Sequence, residues 1–445
     1  MIETEAKLKK YSNYKGSGVT WLDEIPEHWE LTRLGTCFDE RRTKVTDKEY
    51  KPLSVTKNGT VPQLSFAAKT NDGDNRKLVK KGDFVINSRL DRKGSSGLAH
   101  QDGSVSLINI VLKPLKIYNN YCNYLLKSNG FVEEFYRMGH GIVEDLWTTR
   151  YDEMRAIKIG IPPLQEQTAI AEFLDDKTQK IDEAIAIKQQ QITLLQERQQ
   201  IVIQNAVTGK IVWSEKEQKM IPLAKSGVAS KDSGIEWIGE IPEHWEVKKL
   251  FSLCHFIRGN SSFNKDELLR EGEYIALQYG KTYKVNEVDK KYNFYVNDEF
   301  YNDKHVVNYG DTIVISTSET IEDLGHTVYY NRFDLGLLGG EQILIKPNKR
   351  EIDNHYLYFS SKVFAKELRK YATGIKVFRF NINDLKTIYI AVPPFSEQKE
   401  IVDFIKDKNQ KTATAISYKQ QEIEKLQEYK SSLINSCVTG KIKVS

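Results

Sequence analysis

Cysteine is scarce and scattered. The 445-residue chain has four, Cys37, Cys122, Cys254 and Cys437, with no CxxC spacing. That excludes a disulfide framework and a zinc knuckle and suits the cytoplasm. No run of 18 apolar residues occurs, and the opening MIETEAKLKK lacks the apolar core of a signal peptide, so neither a membrane span nor secretion is expected. Charge of one sign is not in excess: 65 Lys and Arg against 61 Asp and Glu leave a net +4. Nucleic-acid binding would therefore need a local basic face. Catalytic loops are missing too. There is no GxxxxGK[ST], HExxH or GxSxG, and Thr208-Gly209-Lys210 and Thr439-Gly440-Lys441 lack the upstream glycine of a phosphate loop. Val392-Pro393-Pro394-Phe395 lacks the Asn or Asp with which an amino-methyltransferase grips its target amine, and its twin is Ile161-Pro162-Pro163-Leu164. Both read as helix starts, where a missing N–H costs nothing.

What is present is repetition. Segment 161–211 opens IPPLQEQ and closes NAVTGKI; from Val392 the chain repeats it as VPPFSEQ and SCVTGKI. Pro162 and Pro393, Glu166 and Glu397, Lys188 and Lys419, and Lys210 and Lys441 are each 231 apart (393 − 162). Each copy predicts a helix of roughly 43 residues, about 65 Å long, with no Gly or Pro before Gly209 in the first. Apolar residues recur on a 3–4 spacing: Leu174, Ile181, Ile185, Ile192, Leu195 and Val202 in the first copy, Ile405, Ile416, Ile423, Leu426 and Leu433 in the second. That is a coiled-coil seam, interrupted by Lys188 and Lys419 at the same heptad position, either as snorkelling stems or as a pair fixing register.

A second repeat precedes each globular stretch. SGVTWLDEIPEHWELTRL (17–34) recurs as SGIEWIGEIPEHWEVKKL (233–250), 216 positions on (233 − 17). The paired tryptophans Trp21 and Trp29, and Trp237 and Trp245, around a proline read as a structural clasp, with the histidine packed or capping rather than catalytic. A third echo aligns Lys81-Gly82-Asp83-Phe84 with Tyr309-Gly310-Asp311-Thr312, now 228 apart (309 − 81), a turn followed by a strand. The second globule thus carries about 12 extra residues between clasp and strand (228 − 216).

The expected layout is an arm at 1–19, a globule at 20–157, a long helix at 161–208, a linker at 209–235, a second globule at 236–388, a second long helix at 392–439 and a tail at 440–445. The fold class is α+β, two mixed globules in an internal two-fold repeat, with two long antiparallel helices forming a coiled coil between them. One helix is expected in each globule, at 124–138 and 356–371.

A dimer's geometry within one chain suits two unlike readers on two half-sites of double-stranded DNA. Candidate DNA-binding residues in the first globule are Arg41, Arg42, Lys57, Asn58, Arg89, Arg92, Lys93, Ser95 and Ser96. In the second they are Arg258, Asn260, Ser261, Gln278, Tyr279, Ser316, Thr317, Ser318, Glu319, Lys376 and Arg379. Cations and hydroxyls suit phosphate and base-edge contacts, and Glu319 suits a cytosine amine; solvated turns are the plainer reading of the same residues.

The doubled EIPEHWE clasps, the PPL/PPF-x-EQ helix starts, the long helices and the TGKI endings together resemble the specificity subunit of type I restriction–modification systems, across both repeats and in segment order. The resemblance implies two target-recognition domains, each reading half of a bipartite asymmetric site. It implies a non-catalytic subunit that recruits two methylation subunits and then restriction subunits. S-adenosylmethionine, ATP and magnesium would belong to those partners, with no cofactor or metal on this chain. The rivals are a fused nuclease or methyltransferase, disfavoured by the missing loops, and a coiled-coil protein scaffold without DNA readout.

Overall fold

A computed structural model describes residues 9–64, 73–141, 147–214, 216–260 and 262–444. The chain divides into two compact units, Met1–Gln190 with Lys419–Ser445, and Gln191–Tyr418.

The first unit is built on an antiparallel sheet in the order Ser96–Leu98, Phe84–Asn87, Asn109–Pro114, Phe38–Glu40. The second repeats that frame as Thr327–Tyr330, Thr312–Ile315, Gln342–Pro347, Cys254–Arg258, with Glu287–Val288 added in parallel at one edge. Even the register is shared: Leu112 pairs with Phe84 as Ile345 pairs with Thr312. Phe84-Val85-Ile86 and the whole of Thr312–Ile315 are buried, as expected of a central strand covered on both faces. The extra residues of the second unit help build a further four-stranded sheet, Tyr295–Val296, Tyr274–Leu277, Gly336–Leu338, Val306–Val307.

The two long helices are Leu164–Val207 and Phe395–Val438, 44 residues each. In the first unit they run antiparallel: Lys430 bonds Asp182 at 2.7 Å and Lys188 bonds Glu422 at 2.8 Å, so climbing one helix descends the other. Leu174, Ile181, Ile192, Ile405 and Leu433 are buried, while Ile185, Leu195, Val202, Ile416, Ile423 and Leu426 are half-buried. Each globular core takes in the start of one long helix and the end of the other. Ile170, Ala171 and Leu174 meet Leu433, Cys437 and Val438 around Trp29; Ile401, Val402 and Ile405 meet Ile203, Ala206 and Val207 around Trp245.

Three expectations change. The helix expected at 124–138 is two helices, Asn119–Lys127 and Asn129–Arg137. They are broken at Ser128, whose extended backbone (ψ 145) ends one while its hydroxyl accepts from Phe131 N to cap the next. Its counterpart begins earlier than expected, at Asn354–Leu368, because Asp353 caps it through His355 N and Tyr356 N. The linker at 209–235 is not featureless: Ile211–Ser214 and Lys219–Pro222 form a hairpin.

Candidate nucleic-acid interface

The repeated motifs hold the frame. Glu166 accepts from the Trp29 indole at 3.1 Å, faces His28 Nε2 at 2.8 Å and accepts the Tyr11 hydroxyl at 2.5 Å. Glu397 does the same for Trp245 and His244, at 2.8 and 2.6 Å. Both tryptophans are fully buried, so the glutamate supplies the acceptor that a buried indole N–H requires. The histidine is therefore part of a clasp on the helix start. The following glutamines stitch the same place: Gln167 Nε2 donates to Pro162 O and Gln398 Nε2 to Pro393 O, both at 3.0 Å. At the far helix ends Gly209 and Gly440 take φ of +71° and +75° and press on Pro242 and Pro26 of the clasps. TGK is thus a helix terminus seated on a clasp, and its glycine is there because no side chain fits.

What varies is the edge where strands Phe84–Asn87 and Thr312–Ile315 end. In the first unit Ser88 O accepts from Thr149 N, and Arg89 pairs with Thr148 in an isolated bridge. Arg89 is exposed and forms no ion pair among the described residues; Arg92 is exposed beside Asp91 at 3.4 Å, and Lys93 reaches Glu133 at 2.6 Å. Lys57 and Asn58 are exposed at the turn between Leu53–Thr56 and Gly59–Pro62, a hairpin laid so close that a Cβ on Gly97 would sit 2.6 Å from Gly59 Cα. Arg42 is exposed but held by Glu40 at 2.5 Å. It lines a cleft of about 580 Å³ with Lys44, Lys77, Arg150 and Thr148.

Three residues of the first set lie elsewhere than a contact surface requires. The Arg41 guanidinium is forked onto buried Asp83, Nε to Oδ2 at 2.6 Å and Nη2 to Oδ1 at 3.0 Å. Ser95 and Ser96 are buried beneath the loop, because Asn87 N bonds Ser95 O and Ser96 enters the sheet against Ile86.

In the second unit Ser316 O accepts from Phe380 N, and Thr317 and Ser318 pair with Arg379 and Phe378. Ser316, Thr317 and Ser318 are buried by that ladder, so they too position rather than touch. Their strand gathers other candidates. Gly259 N bonds Gln342 O and Gly339 N bonds Leu277 O, bringing Arg258, Asn260, Gln278 and Tyr279 beside the 339–342 turn. Exposed on this rim are Arg258, Asn260, Glu319, Lys376 and Arg379; Gln278 and Tyr279 are half-buried. Ser261 lies outside the described residues. Burial first, then the charges of Glu319, Glu341 and Asp323, pushes the Tyr279 phenol up. The second rim is thus mixed in charge, whereas the first carries an arginine, Arg89, with no ion pair among the described residues, beside cations matched by Asp91 and Glu133.

Two residues were missed from sequence. Glu341 accepts the Thr317 hydroxyl, sits 3.8 Å from Arg379 and holds φ +60°, a strained backbone for a non-glycine residue. Ile375 projects beside Lys376. A signal existed for the latter: Gly141-Ile142 and Gly374-Ile375 stand 233 apart (374 − 141), each just before the ladder residue Thr148 or Arg379.

The model of the type I restriction modification DNA specificity domain matches the chain twice, at residues 26–197 and 242–425. The chain belongs to that family. Among its relatives are two from Methanocaldococcus jannaschii. The putative type I restriction enzyme MjaX specificity subunit is 27% identical over 98% of both chains, and the MjaVIII specificity subunit 25% identical over 94% of both. A solved chain from work on complex assembly and conformational transition of the type I R-M system shares the fold, with a TM-score of 0.66 at 14% identity, covering 93% of this chain and 98% of that one. Among the described residues no helix is long and apolar enough to cross a membrane, and no group of His, Cys, Asp and Glu is placed to hold a metal.

Proposed function

We propose that this protein is the DNA-recognition subunit of a type I restriction–modification complex in the cytoplasm, each globule reading one half of a bipartite, asymmetric site in double-stranded DNA. The long helices set the half-site spacing and offer docking surface to two methylation subunits, with restriction subunits joining the full complex. S-adenosylmethionine, ATP and magnesium act on those partners, and this chain does no chemistry itself. One observation carries the reading: a frame duplicated down to strand register bears unlike edges, Arg89 and Arg92 on one and Glu319, Glu341 and Arg379 on the other. Equal scaffolds with different rims are what a two-part, non-palindromic target requires.

Modified-base sequencing of DNA from cells carrying the whole system is expected to show one split motif. Adding seven residues to each long helix at matched positions should change the spacer length while leaving both half-sites intact. An unchanged spacer would refute the ruler. Binding that is insensitive to salt and sequence would refute DNA readout and favour a protein scaffold.

A further inference from the structure

A lone exposed isoleucine is ordinary on a protein surface; the setting of Ile375 is not. It is 95% exposed, the least covered large apolar side chain among the described residues. Its loop is closed. Thr373 and Arg379 exchange both backbone hydrogen bonds at 2.9 Å, and Thr373 Oγ1 adds a bond of 3.3 Å to Arg379 O. The loop's base is stitched to the buried Thr317–Ser318 strand, and Phe380 behind it is buried. Gly374 holds φ +112°, and a Cβ there would stand 2.0 Å from Val377 O, so only glycine lets the chain turn this tightly. The turn thus presents Ile375 outward by construction, with Lys376 and Arg379 exposed beside it and Val377 37% exposed.

We propose that Ile375 is a specificity-determining residue that reads a thymine by packing against its 5-methyl group in the major groove. The inference rests on the second globule being a half-site reader. The thymine methyl is the apolar feature that base edges offer in the major groove, and contact with it needs no distortion of the duplex. Insertion between base pairs would instead need a step to be unstacked. Lys376 and Arg379 supply the neighbouring phosphate and acceptor contacts that would hold the loop in register. An aliphatic tip set among cations gains nothing in water, but gains burial once the methyl covers it.

The test uses the complete complex with its methylation subunits and a duplex carrying its target, at one salt concentration. Each thymine of both half-sites is replaced in turn by deoxyuridine, which deletes the methyl and keeps the hydrogen-bonding edge. At one position the wild-type complex should lose about fivefold in affinity, the worth of one buried methyl. Ile375→Ala should bind the parent duplex about as weakly and be indifferent to that replacement, and Ile375→Leu should recover part of the loss. Equal deoxyuridine effects in wild type and Ile375→Ala would overturn the proposal, as would half-sites without a coupled thymine. So would a 2-aminopurine signal showing unstacking that depends on Ile375 without any deoxyuridine effect. If the wild-type complex does not distinguish its half-sites from scrambled sequence, the half-site reading itself falls and takes this inference with it. If that discrimination is intact and no thymine couples, Ile375 alone is refuted.

Discussion

Arg41 offers the sharpest contest between a residue's sequence and its surroundings. From sequence it is half of an Arg-Arg pair on a DNA-reading globule; in the fold its cation is spent on Asp83, which is 2% exposed and also accepts Lys80 N at 2.8 Å. Arg41→Ala would strand that carboxylate with one backbone N–H. Removing one partner of a buried pair costs about 3–5 kcal/mol. Since the Arg41 side chain is itself 22% exposed and water can enter the gap, the lower end, about 3 kcal/mol, is the expectation. Arg41→Lys keeps the charge but loses the fork, and about 1–2 kcal/mol should go. Amide hydrogen exchange in strand Phe84–Asn87 reads this directly, because Asp83 precedes it. About 3 kcal/mol is on the order of a hundredfold increase in opening. Sequence-specific binding should fall only as far as folding does. Unchanged exchange with lost DNA affinity would refute the structural assignment and restore Arg41 to the interface.

Gly209→Ala and Gly440→Ala force a side chain into a left-handed turn and against Pro242 Cδ at 2.5 Å or the ring of Pro26. Each should lower the melting temperature, with at least about 1–2 kcal/mol lost. Glu397→Ala leaves the buried Trp245 indole N–H without its acceptor and should cost about 1–3 kcal/mol in denaturant unfolding, whereas Glu397→Gln keeps an acceptor and should cost less. Lys362 makes a hydrogen bond of 3.0 Å to Asn286 Oδ1, and burial pulls its ammonium down from 10.5 to about 8. Between those values the unfolded chain holds the proton and the folded one does not, so stability should rise with pH from about 8 to 10.5. Solvent reaching the half-buried side chain trims the gain to about 2 kcal/mol. In Lys362→Met that rise should vanish and stability at pH 7 should increase; a persistent rise would refute the assignment.

The frame was legible because repetition needs no physics to detect, and because the repeated residues are those with nowhere else to go. A buried indole needs an acceptor, so Trp29 and Glu166 recur together as Trp245 and Glu397. The break at Ser128 was hidden because Leu125, Leu126, Phe131 and Phe135 keep an apolar rhythm across it and all enter one core. Asp353 was hidden by its polarity, which marks caps as readily as loops. The hairpin at 211–222 was legible in Ile211-Val212-Trp213 and Met220-Ile221, but the polar turn and linker around those short runs obscured it. The rims were the least legible. Ser95, Ser96, Ser316, Thr317 and Ser318 look like surface hydroxyls, yet a hairpin to the 84–87 strand carries the first two inside and a long-range pairing with 378–380 carries the other three. Glu341 has no local signature beyond a neighbouring glycine, and Ile375 only the Gly-Ile echo at 141–142, since what singles them out is the backbone angle or exposure imposed by distant strands.

The seam shows how a repeated scaffold can still hold one register. Lys188 and Lys419 are twins, and both reach Glu422, at 2.8 and 3.3 Å. The twin of Glu422 is Gln191 (422 − 231), so one carboxylate serves two lysines. An apolar seam alone tolerates a slip of seven residues, because Leu and Ile recur at that interval. Such a slip here would carry Glu422 away from Lys188 and leave a half-buried ammonium facing apolar neighbours. In the other unit the seam amide pair Gln199 Nε2 and Asn409 Oδ1, at 2.9 Å, would be parted as well. Polar groups at coiled-coil core positions give up stability for register in this way. If spacing between half-sites is what the helices set, register is the quantity they must keep. Glu422→Leu with Lys188→Leu and Lys419→Leu is therefore expected to yield a helix pair no less stable to heat, but one whose complex methylates targets with altered spacers. Heat stability gained with spacer choice unchanged would show that the lysines are only tolerated there.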